Sequence, residues 1–147
     1  MYHYRGAGLG NVYLKNGYRE IKFGDEIAVS VENVQGLHLA IAATLIHKPA
    51  GLTGQEFRFL RIEMDLAQHR LGRLLGVGEQ SIRQWENNVT RQIPGSAERL
   101  MRAFARERLL NQDGEIAEML EELAELDHFV MEQMLFEETQ NVWSEAA

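Results

Sequence analysis

Residues 68–87 constrain the fold of this chain more than any other stretch, because they read as two short amphipathic helices joined by a glycine. The first helix begins at Gln68, and its leucines follow the i, i+3, i+4 spacing of one buried stripe. These leucines are Leu71, Leu74 and Leu75. Gly76 ends the helix, since glycine tolerates the left-handed backbone that a sharp turn between helices needs. We therefore expect two helices packed together across a tight turn.

The second helix begins near Glu79 and has only two apolar positions, Ile82 and Trp85, which lie three residues apart. Its other early side chains are polar and should point outward: Glu79, Gln80, Ser81, Arg83 and Gln84. A short helix with two buried anchors and an amide-rich outer face suits a nucleic-acid groove better than a protein core. The alternative is a helical bundle whose surface happens to be rich in amides.

Helices are also expected on both sides of this pair. Residues 53–56, Thr-Gly-Gln-Glu, have the spacing of a capping box that begins a preceding helix. Residues 94–96, Pro-Gly-Ser, predict the start of a following helix. The inward positions of the two flanking helices are Phe57, Leu60 and Met64, and Leu100, Met101 and Phe104. Four helices in this order can form one compact core.

Residues 52–108 resemble the helix-turn-helix domain of the phage repressors Cro and C1, also called Xre-type regulators. Gln68, the run Gln80-Ser81-Ile82 and the run Trp85-Glu86-Asn87 fall where that family's pattern places them. The resemblance implies that the opening of the second helix reads base edges in the major groove, while neighbouring residues hold phosphates. The implied base-reading residues are Glu79, Gln80, Ser81 and Gln84, and the implied phosphate-binding residues are Gln68, Arg83, Asn87 and Arg91.

The chemistry of these side chains agrees with the implied roles. A glutamine amide pairs with adenine N6 and N7, a serine hydroxyl donates or accepts, and a glutamate accepts from cytosine N4. Two positions depart from the family pattern. Ala67 stands where a capping serine or a similar residue is usual, and Gly72 stands where alanine is usual. We therefore expect the first helix of the pair to be somewhat less stable than its counterparts.

Residues 1–50 have the pattern of a small antiparallel β-meander followed by a helix. Asn16-Gly17 predicts a hairpin between residues 11–15 and 18–23, and Gly24-Asp25 predicts a second turn into a third strand. Helical spacing returns over residues 33–47. Such a unit is marginal alone and must dock on the helical domain, on a second copy or on a partner. Its layout is similar to the sensor half of MqsA-type antitoxins, but this chain has no cysteines to hold zinc, so we expect no metal.

Residues 111–147 form an acidic amphipathic segment. Apolar residues spaced three and four apart define a seam: Ile116, Met119, Leu123, Leu126 and Val130. This spacing favours packing on the chain's own body or, with its roughly heptad repeat, on the same helix of a second subunit. The acidic face could instead bind a basic protein, such as a toxin or another regulator, or compete with DNA. After Met131 the chain fits either a helix or a strand, and Trp143 is expected to anchor the tail.

The charge of the chain is unevenly distributed. Residues 1–50 carry five basic and four acidic side chains, residues 51–110 carry ten and seven, and residues 111–147 carry none and eleven, which gives the net charge of −7. Nucleic-acid affinity depends on local basic surface rather than on the charge of the whole chain. A mildly basic body with an acidic tail is therefore compatible with DNA binding that is modest and sensitive to salt.

Catalysis has little support in the sequence. The histidines show neither the paired spacing nor the glutamate neighbour of a zinc site, and they are His3, His38, His47, His69 and His128. The glycine-rich residues 6–10 favour a flexible lead-in over a phosphate cradle, because no strand is predicted before them. We expect no cofactor. The chain has no apolar run long enough to span a membrane and no signal-peptide pattern, which predicts a cytoplasmic protein.

The sequence thus predicts a mainly α protein. A Cro/C1-type domain of four to five helices over residues 51–110 is preceded by the meander and helix and followed by the acidic segment. We expect a homodimeric transcriptional repressor, or an autorepressor of antitoxin type, that binds double-stranded DNA at an inverted repeat. The competing hypothesis is a protein-binding adaptor or anti-activator that uses the helix-turn-helix as a scaffold.

Overall fold

The computed structural model describes residues 1–111, 114–126 and 133–146, and within them it contains helices and three two-stranded antiparallel sheets. The strands are β1 (Tyr2–His3), β2 (Tyr13–Leu14), β3 (Tyr18–Phe23), β4 (Glu26–Val31), β5 (Phe136–Thr139) and β6 (Val142–Glu145). The helices are α1 (Val34–His47), α2 (Gly54–Glu63), α3 (Gln68–Leu75), α4 (Glu79–Asn87), α5 (Gly95–Ala105) and α6 (Glu115–Leu126). A π-helical turn, Arg106–Asn111, extends α5.

The predicted helices of the body are confirmed. Helix α3 begins at Gln68, Gly76 follows it with a left-handed φ of 74°, and α4 begins at Glu79. Helix α2 begins after Thr53, whose backbone N–H donates to Glu56 at 2.9 Å, as one half of a capping box requires. Helix boundaries were predictable because the turn glycine and the capping residues are local signals.

One continuous hydrophobic core joins the helices α1 to α5. Its largest side chains are less than 2% exposed: Leu52, Phe57, Leu60, Leu71, Ile82, Met101 and Phe104. Full burial of such a side chain stabilises the fold by roughly 1.5 to 3 kcal/mol. Helix α1 contributes Ala42, Leu45 and Ile46 to the same core, and Leu9 joins it from the N-terminal loop. Helix α1 therefore packs as part of the helical body.

The predicted three-stranded meander is wrong in its first pairing. Strand β2 pairs with β1, with Tyr2 opposite Leu14, and does not continue into a hairpin with β3. The hairpin of β3 and β4 is present, and Gly24-Asp25 forms its turn as predicted, with Phe23 opposite Glu26. Leu14 is only 9% exposed, so burying this side chain favours a strand that lies back against the body.

The glycine-rich lead-in is not a loose segment. Strand β1 lies directly before it, and Tyr4 and Leu9 are 7% and 4% exposed. The Tyr4 backbone N–H donates to the carbonyl of Val12 at 2.9 Å, which closes the loop at its base. The expectation of a flexible lead-in is therefore wrong, because the loop is held at both ends by buried apolar side chains.

The C-terminal segment combines a helix and a hairpin. Glu107, buried in the π-helical turn, accepts the Ile116 backbone N–H with both carboxylate oxygens at 2.8 Å and so caps the start of α6. Strands β5 and β6 pair through a turn at Gln140 and Asn141, both with positive φ, which is typical of tight hairpins. Trp143 is 70% exposed, so the expectation that it anchors the tail is wrong.

Candidate nucleic-acid interface

Helices α3 and α4 are held together by close backbone contacts at their turn. The Val77 backbone N–H donates to the Gly72 carbonyl at 2.8 Å. A Cβ atom added at Gly72 would lie 2.8 Å from the carbonyl oxygen of Val77, which is too close for any ordinary contact. Gly72 is therefore required by the packing of the turn, although glycine lowers the intrinsic stability of a helix.

The inner face of α4 is anchored to α2. Ile82 is fully buried, and the half-buried Trp85 packs edge-on against Phe57 with ring centroids 5.8 Å apart. A Cβ atom at Gly54 would overlap the carbonyl oxygens of Trp85 and Asn88, so the first residue of α2 has to be glycine for α4 to approach. These contacts fix α4 against the body while its other face stays free.

The outer face of α4 is polar and open to solvent. Three of the four predicted base-reading residues are exposed, namely Glu79, Gln80 and Gln84, and Ser81 is half-buried. Glu79 forms an exposed ion pair with Arg83, one turn later, at 3.1 Å. Because that pair joins a predicted base-reading residue to a predicted phosphate-binding residue, the two side chains would have to separate or act together on a nucleic acid.

Gln68, a predicted phosphate-binding residue, takes part in a buried ionic cluster. Its side-chain amide donates to Glu86 at 3.1 Å, and the Arg61 guanidinium donates to both oxygens of Glu86 at 2.7 and 2.8 Å. Glu86 is 4% exposed. This cluster ties α2, α3 and α4 together. The sequence does not indicate this cluster, because two residues 25 positions apart on different helices leave no periodic signal.

The chain after α4 forms a polar cleft. Asn87 and Arg91 are exposed, and Asn88 donates its side-chain amide to the Gln84 carbonyl at 3.0 Å. A cleft of about 420 Å³ lies between the end of α4 and this loop, with Gln84, Trp85 and Arg91 among its lining residues. None of the described carboxylates lies within 4 Å of the Arg91 guanidinium. Arg91 is thus available to an external anion at this edge.

Most acidic side chains of residues 51–110 are already engaged. Four of them pair with cations of the body: Glu56 with Lys48, Glu79 with Arg83, Glu86 with Arg61, and Glu98 with Arg102. Glu63 contacts His38, and Glu107 caps α6. Several exposed arginines have no such partner among the described residues: Arg58, Arg73, Arg91 and Arg99. The body therefore presents more unpaired positive than negative charge, as a polyanion partner would need.

The residues of the predicted dimer seam differ in their exposure to solvent. Ile116 is half-buried against the core, whereas Met119 and Leu123 are 61% and 56% exposed. Leu126 ends α6 and its surroundings are not described, and Val130 lies outside the described residues. Helix α6 packs on the body mainly through small and apolar side chains on a neighbouring face, which are Ala117, Leu120 and Ala124.

Helix α6 also meets the predicted DNA-binding pair directly. Glu121 forms an ion pair of 3.0 Å with Arg70 of α3. Both side chains are partly exposed, so this pair contributes at most about 1 kcal/mol to stability. One cation of α3 is therefore neutralised by the acidic helix.

Within the described ranges, no group of three or more histidine, aspartate or glutamate side chains is arranged to hold a metal ion. No helix among these residues is long and apolar enough to cross a membrane. Comparison of the chain with known proteins finds no matching family model, no matching curated protein and no matching solved structure.

Proposed function

We propose that this protein is a sequence-specific DNA-binding transcriptional regulator, a repressor or autorepressor of antitoxin type. The observation that carries the proposal is the two-sided construction of α4. Ile82 and Trp85 fix one face of the helix to the body, and Gln80 and Gln84 stand exposed one turn apart on the other. A rigid helix with an open, amide-rich face is what direct reading of bases in the major groove requires.

The surroundings of α4 supply the contacts that would position it. Asn87 lies at the end of the helix, and Arg91 lies in the loop that follows and lines the polar cleft. Hydrogen bonds to phosphates fix the register of a protein on the duplex, while base contacts specify the sequence. In this arrangement α3 and α4 act as a helix-turn-helix. The Arg61–Glu86–Gln68 cluster keeps the two helices at a constant angle.

A single helix of this length reaches only a few base pairs, so useful specificity requires two half-sites. We propose a two-fold symmetric dimer on an inverted repeat whose half-sites lie about one helical turn apart. The exposed side chains Met119 and Leu123 of α6 offer an apolar contact for the second subunit. The N-terminal hairpin, with exposed Phe23 and Ile27, is the other candidate interface.

A gel-shift assay with DNA from upstream of the chain's own coding sequence tests the proposal. The parent protein should bind one fragment in preference to random DNA. Gln80→Ala and Gln84→Ala should each lose about 1 to 3 kcal/mol of that preference while the fold stays intact. Gln35→Ala, which removes an exposed amide from α1, is the matched control and should bind as the parent does. Equal operator preference in all four proteins would refute the assignment of α4.

The acidic helix supports the alternative function. Residues 111–147 carry eleven acidic and no basic side chains, and Met119 and Leu123 are exposed on α6. An apolar patch with acidic neighbours suits a basic protein partner, such as a toxin or another regulator. An adaptor of this kind would bind no DNA in the gel-shift assay and would instead be bound through α6.

A further inference from the structure

A second cleft lies outside the candidate DNA interface, between the glycine-rich loop and two helices. It has a volume of about 250 Å³. Arg5, Gly6, Ala7 and Gly8 line it from the loop, His38 lines it from α1, and Arg58 and Glu63 line it from α2. No residue of α3 or α4 lines the cleft. The cleft therefore lies apart from the predicted base-reading residues.

The charge of this cleft favours an anion. Arg5 and Arg58 are exposed, and no described carboxylate lies within 4 Å of either guanidinium. The acidic side chain in the wall, Glu63, is held by the Nδ1 atom of His38 at 2.6 Å. Two arginines against one engaged carboxylate leave a net positive cleft, and planar guanidinium groups bind phosphates in a forked geometry.

The backbone of the loop adds donors to the two arginines. The Gly8 backbone N–H donates to the Arg5 carbonyl at 3.0 Å, and Gly8 then adopts a left-handed φ of 74°. The N–H groups of Gly6 and Ala7 find no acceptor among the described residues. Successive N–H groups in such a turn form an anion-binding concavity. The loop thus resembles a small anion nest, and Arg5 and Arg58 line the same cleft.

The position of the loop is fixed by contacts beneath it. The Tyr4 hydroxyl lies 2.7 Å from the Nε2 atom of His38, whose other ring nitrogen contacts Glu63. A Cβ atom at Gly6 would lie 2.5 Å from the Tyr4 hydroxyl oxygen, so only glycine lets the loop lie this close to the ring. The nest is therefore held ready before any ligand binds, which lowers the entropic cost of binding.

We infer that this cleft is a binding site for a phosphate group carried on a small molecule. The two arginines would contact the phosphate oxygens, and the N–H groups of the loop would complete the shell. The site joins the N-terminal loop to α2, whose next turn carries Arg61 of the buried cluster. This inference does not depend on DNA binding.

Titration calorimetry with inorganic phosphate on the full chain, at constant ionic strength with chloride as the reference, tests the site. The parent should bind phosphate, and Arg58→Gln and Arg5→Gln should each weaken the binding about ten-fold or more, as the loss of one charge-assisted contact implies. Arg99→Gln, on α5, removes an exposed arginine that does not line the cleft and should bind phosphate as the parent does. Melting curves of all four proteins establish that each is folded.

Three results would overturn the inference. Parent protein that takes up no phosphate would mean that the cleft is not a phosphate site. Equal losses in the Arg58 and Arg99 variants would leave only general attraction of anions to arginine. The third result concerns the source of the phosphate. If inorganic phosphate does not bind but Arg5→Gln and Arg58→Gln weaken DNA binding while Arg99→Gln does not, then the two arginines hold the DNA backbone and the small-molecule site is refuted.

Discussion

The guanidinium of Arg61 and the carboxylate of Glu86 form a two-pronged ion pair at 2.7 and 2.8 Å, with Glu86 almost completely buried. This pair connects the last turn of α2 to the last turn of α4. Because Gln68 also donates to Glu86, the three helices around the candidate interface share one carboxylate. The orientation of α4 depends on this side chain.

Removal of that carboxylate should be costly. Glu86→Ala leaves the largely buried Arg61 guanidinium with the Leu66 carbonyl but without an ionic partner, and breaking a buried pair costs roughly 3 to 5 kcal/mol. Urea unfolding measures the loss. Glu79→Ala, which breaks the exposed pair with Arg83, is the matched control and should change the free energy of unfolding by at most about 1 kcal/mol. Comparable effects of the two substitutions would mean that the Arg61–Glu86 pair is not buried in solution.

Gly72→Ala should destabilise the protein, although alanine is the better helix former. Helix propensity alone favours alanine by about 1 kcal/mol. The new methyl group would instead meet the Val77 carbonyl oxygen at 2.8 Å, and such overpacking typically costs about 1 to 3 kcal/mol. Gly95→Ala, at the open first position of α5, is the control and should be neutral or slightly stabilising. A higher melting temperature for Gly72→Ala would show that the turn has room for a methyl group beside the Val77 carbonyl.

Trp85→Ala should loosen the domain and abolish DNA binding together. Truncating an aromatic core side chain costs roughly 3 to 5 kcal/mol, and the half-buried position of Trp85 against Phe57 places the cost toward the lower end. Thermal melting followed by circular dichroism, with a gel shift at the same temperature, measures both. An unchanged melting curve would mean that Trp85 does not pack on Phe57.

Replacement of the exposed apolar side chains of α6 should give a monomer that remains folded. The double substitution Met119→Gln and Leu123→Gln removes these side chains without touching Leu120 and Ala124, which pack on the body. Sedimentation velocity should then show loss of the proposed dimer, and operator binding should weaken. Ile27→Gln, on the N-terminal hairpin, tests the other interface. A dimer that survives the first change and is lost in the second would move the contact to the hairpin.

Deletion of residues 112–147 tests the role of the acidic segment. The remaining body carries +4, so its non-specific affinity for DNA at low salt should rise. The deletion also uncovers the surface beneath Leu120 and Ala124, so some loss of stability is expected. Binding to random DNA over a range of salt concentrations measures the effect. Unchanged non-specific affinity would show that the acidic segment does not weaken the attraction of DNA to the body.

Alkaline pH should selectively weaken the contact of Tyr4 with His38. Burial, and then the negative charge of Glu63, raise the pKa of Tyr4 above its ordinary value of 10.0. The folded state thus favours the neutral phenol, and this stabilisation is complete below pH 10 and is lost as the pH rises through the raised pKa. The stability advantage of the parent over Tyr4→Phe should therefore shrink above pH 10 in denaturant unfolding. Tyr13→Phe, at an exposed tyrosine, should follow the parent.

The bounds of the helices in the body were predictable from sequence, and the pairing of the first strands was not. Gly76 and Thr53 act on their immediate neighbours, so a single sequence reveals them. The pairing of Tyr2 with Leu14 accompanies the burial of Leu14, which lines a groove with Leu37 and Ile41 of α1. The turn signal of Asn16-Gly17 favours pairing of β2 with β3. It could not reveal that β2 pairs with β1 instead, since the choice between the two pairings depends on tertiary packing.

The candidate interface was predictable only on its outer side. The polar face of α4 follows from the spacing of Ile82 and Trp85, which is local. The buried role of Glu86 does not follow from that spacing, since a glutamate in a short polar helix is ordinarily solvated. The split of the α6 seam between Ile116 and the exposed Met119 also depends on how the helix lies on the body. The spacing of apolar residues in one sequence does not determine the orientation of α6 on the body.

The close approach of Gly54 to α4 couples the first turn of α2 to the loop that follows α4. The Gly54 and Gln55 backbone N–H groups donate to the carbonyls of Arg91 and Val89, at 3.0 Å each, so the loop after α4 is fastened to the first turn of α2. These two amides can exchange with solvent deuterium only when the loop detaches. Their exchange rates therefore report how often the polar cleft opens, and a DNA duplex that clamps the loop would slow them without touching either residue.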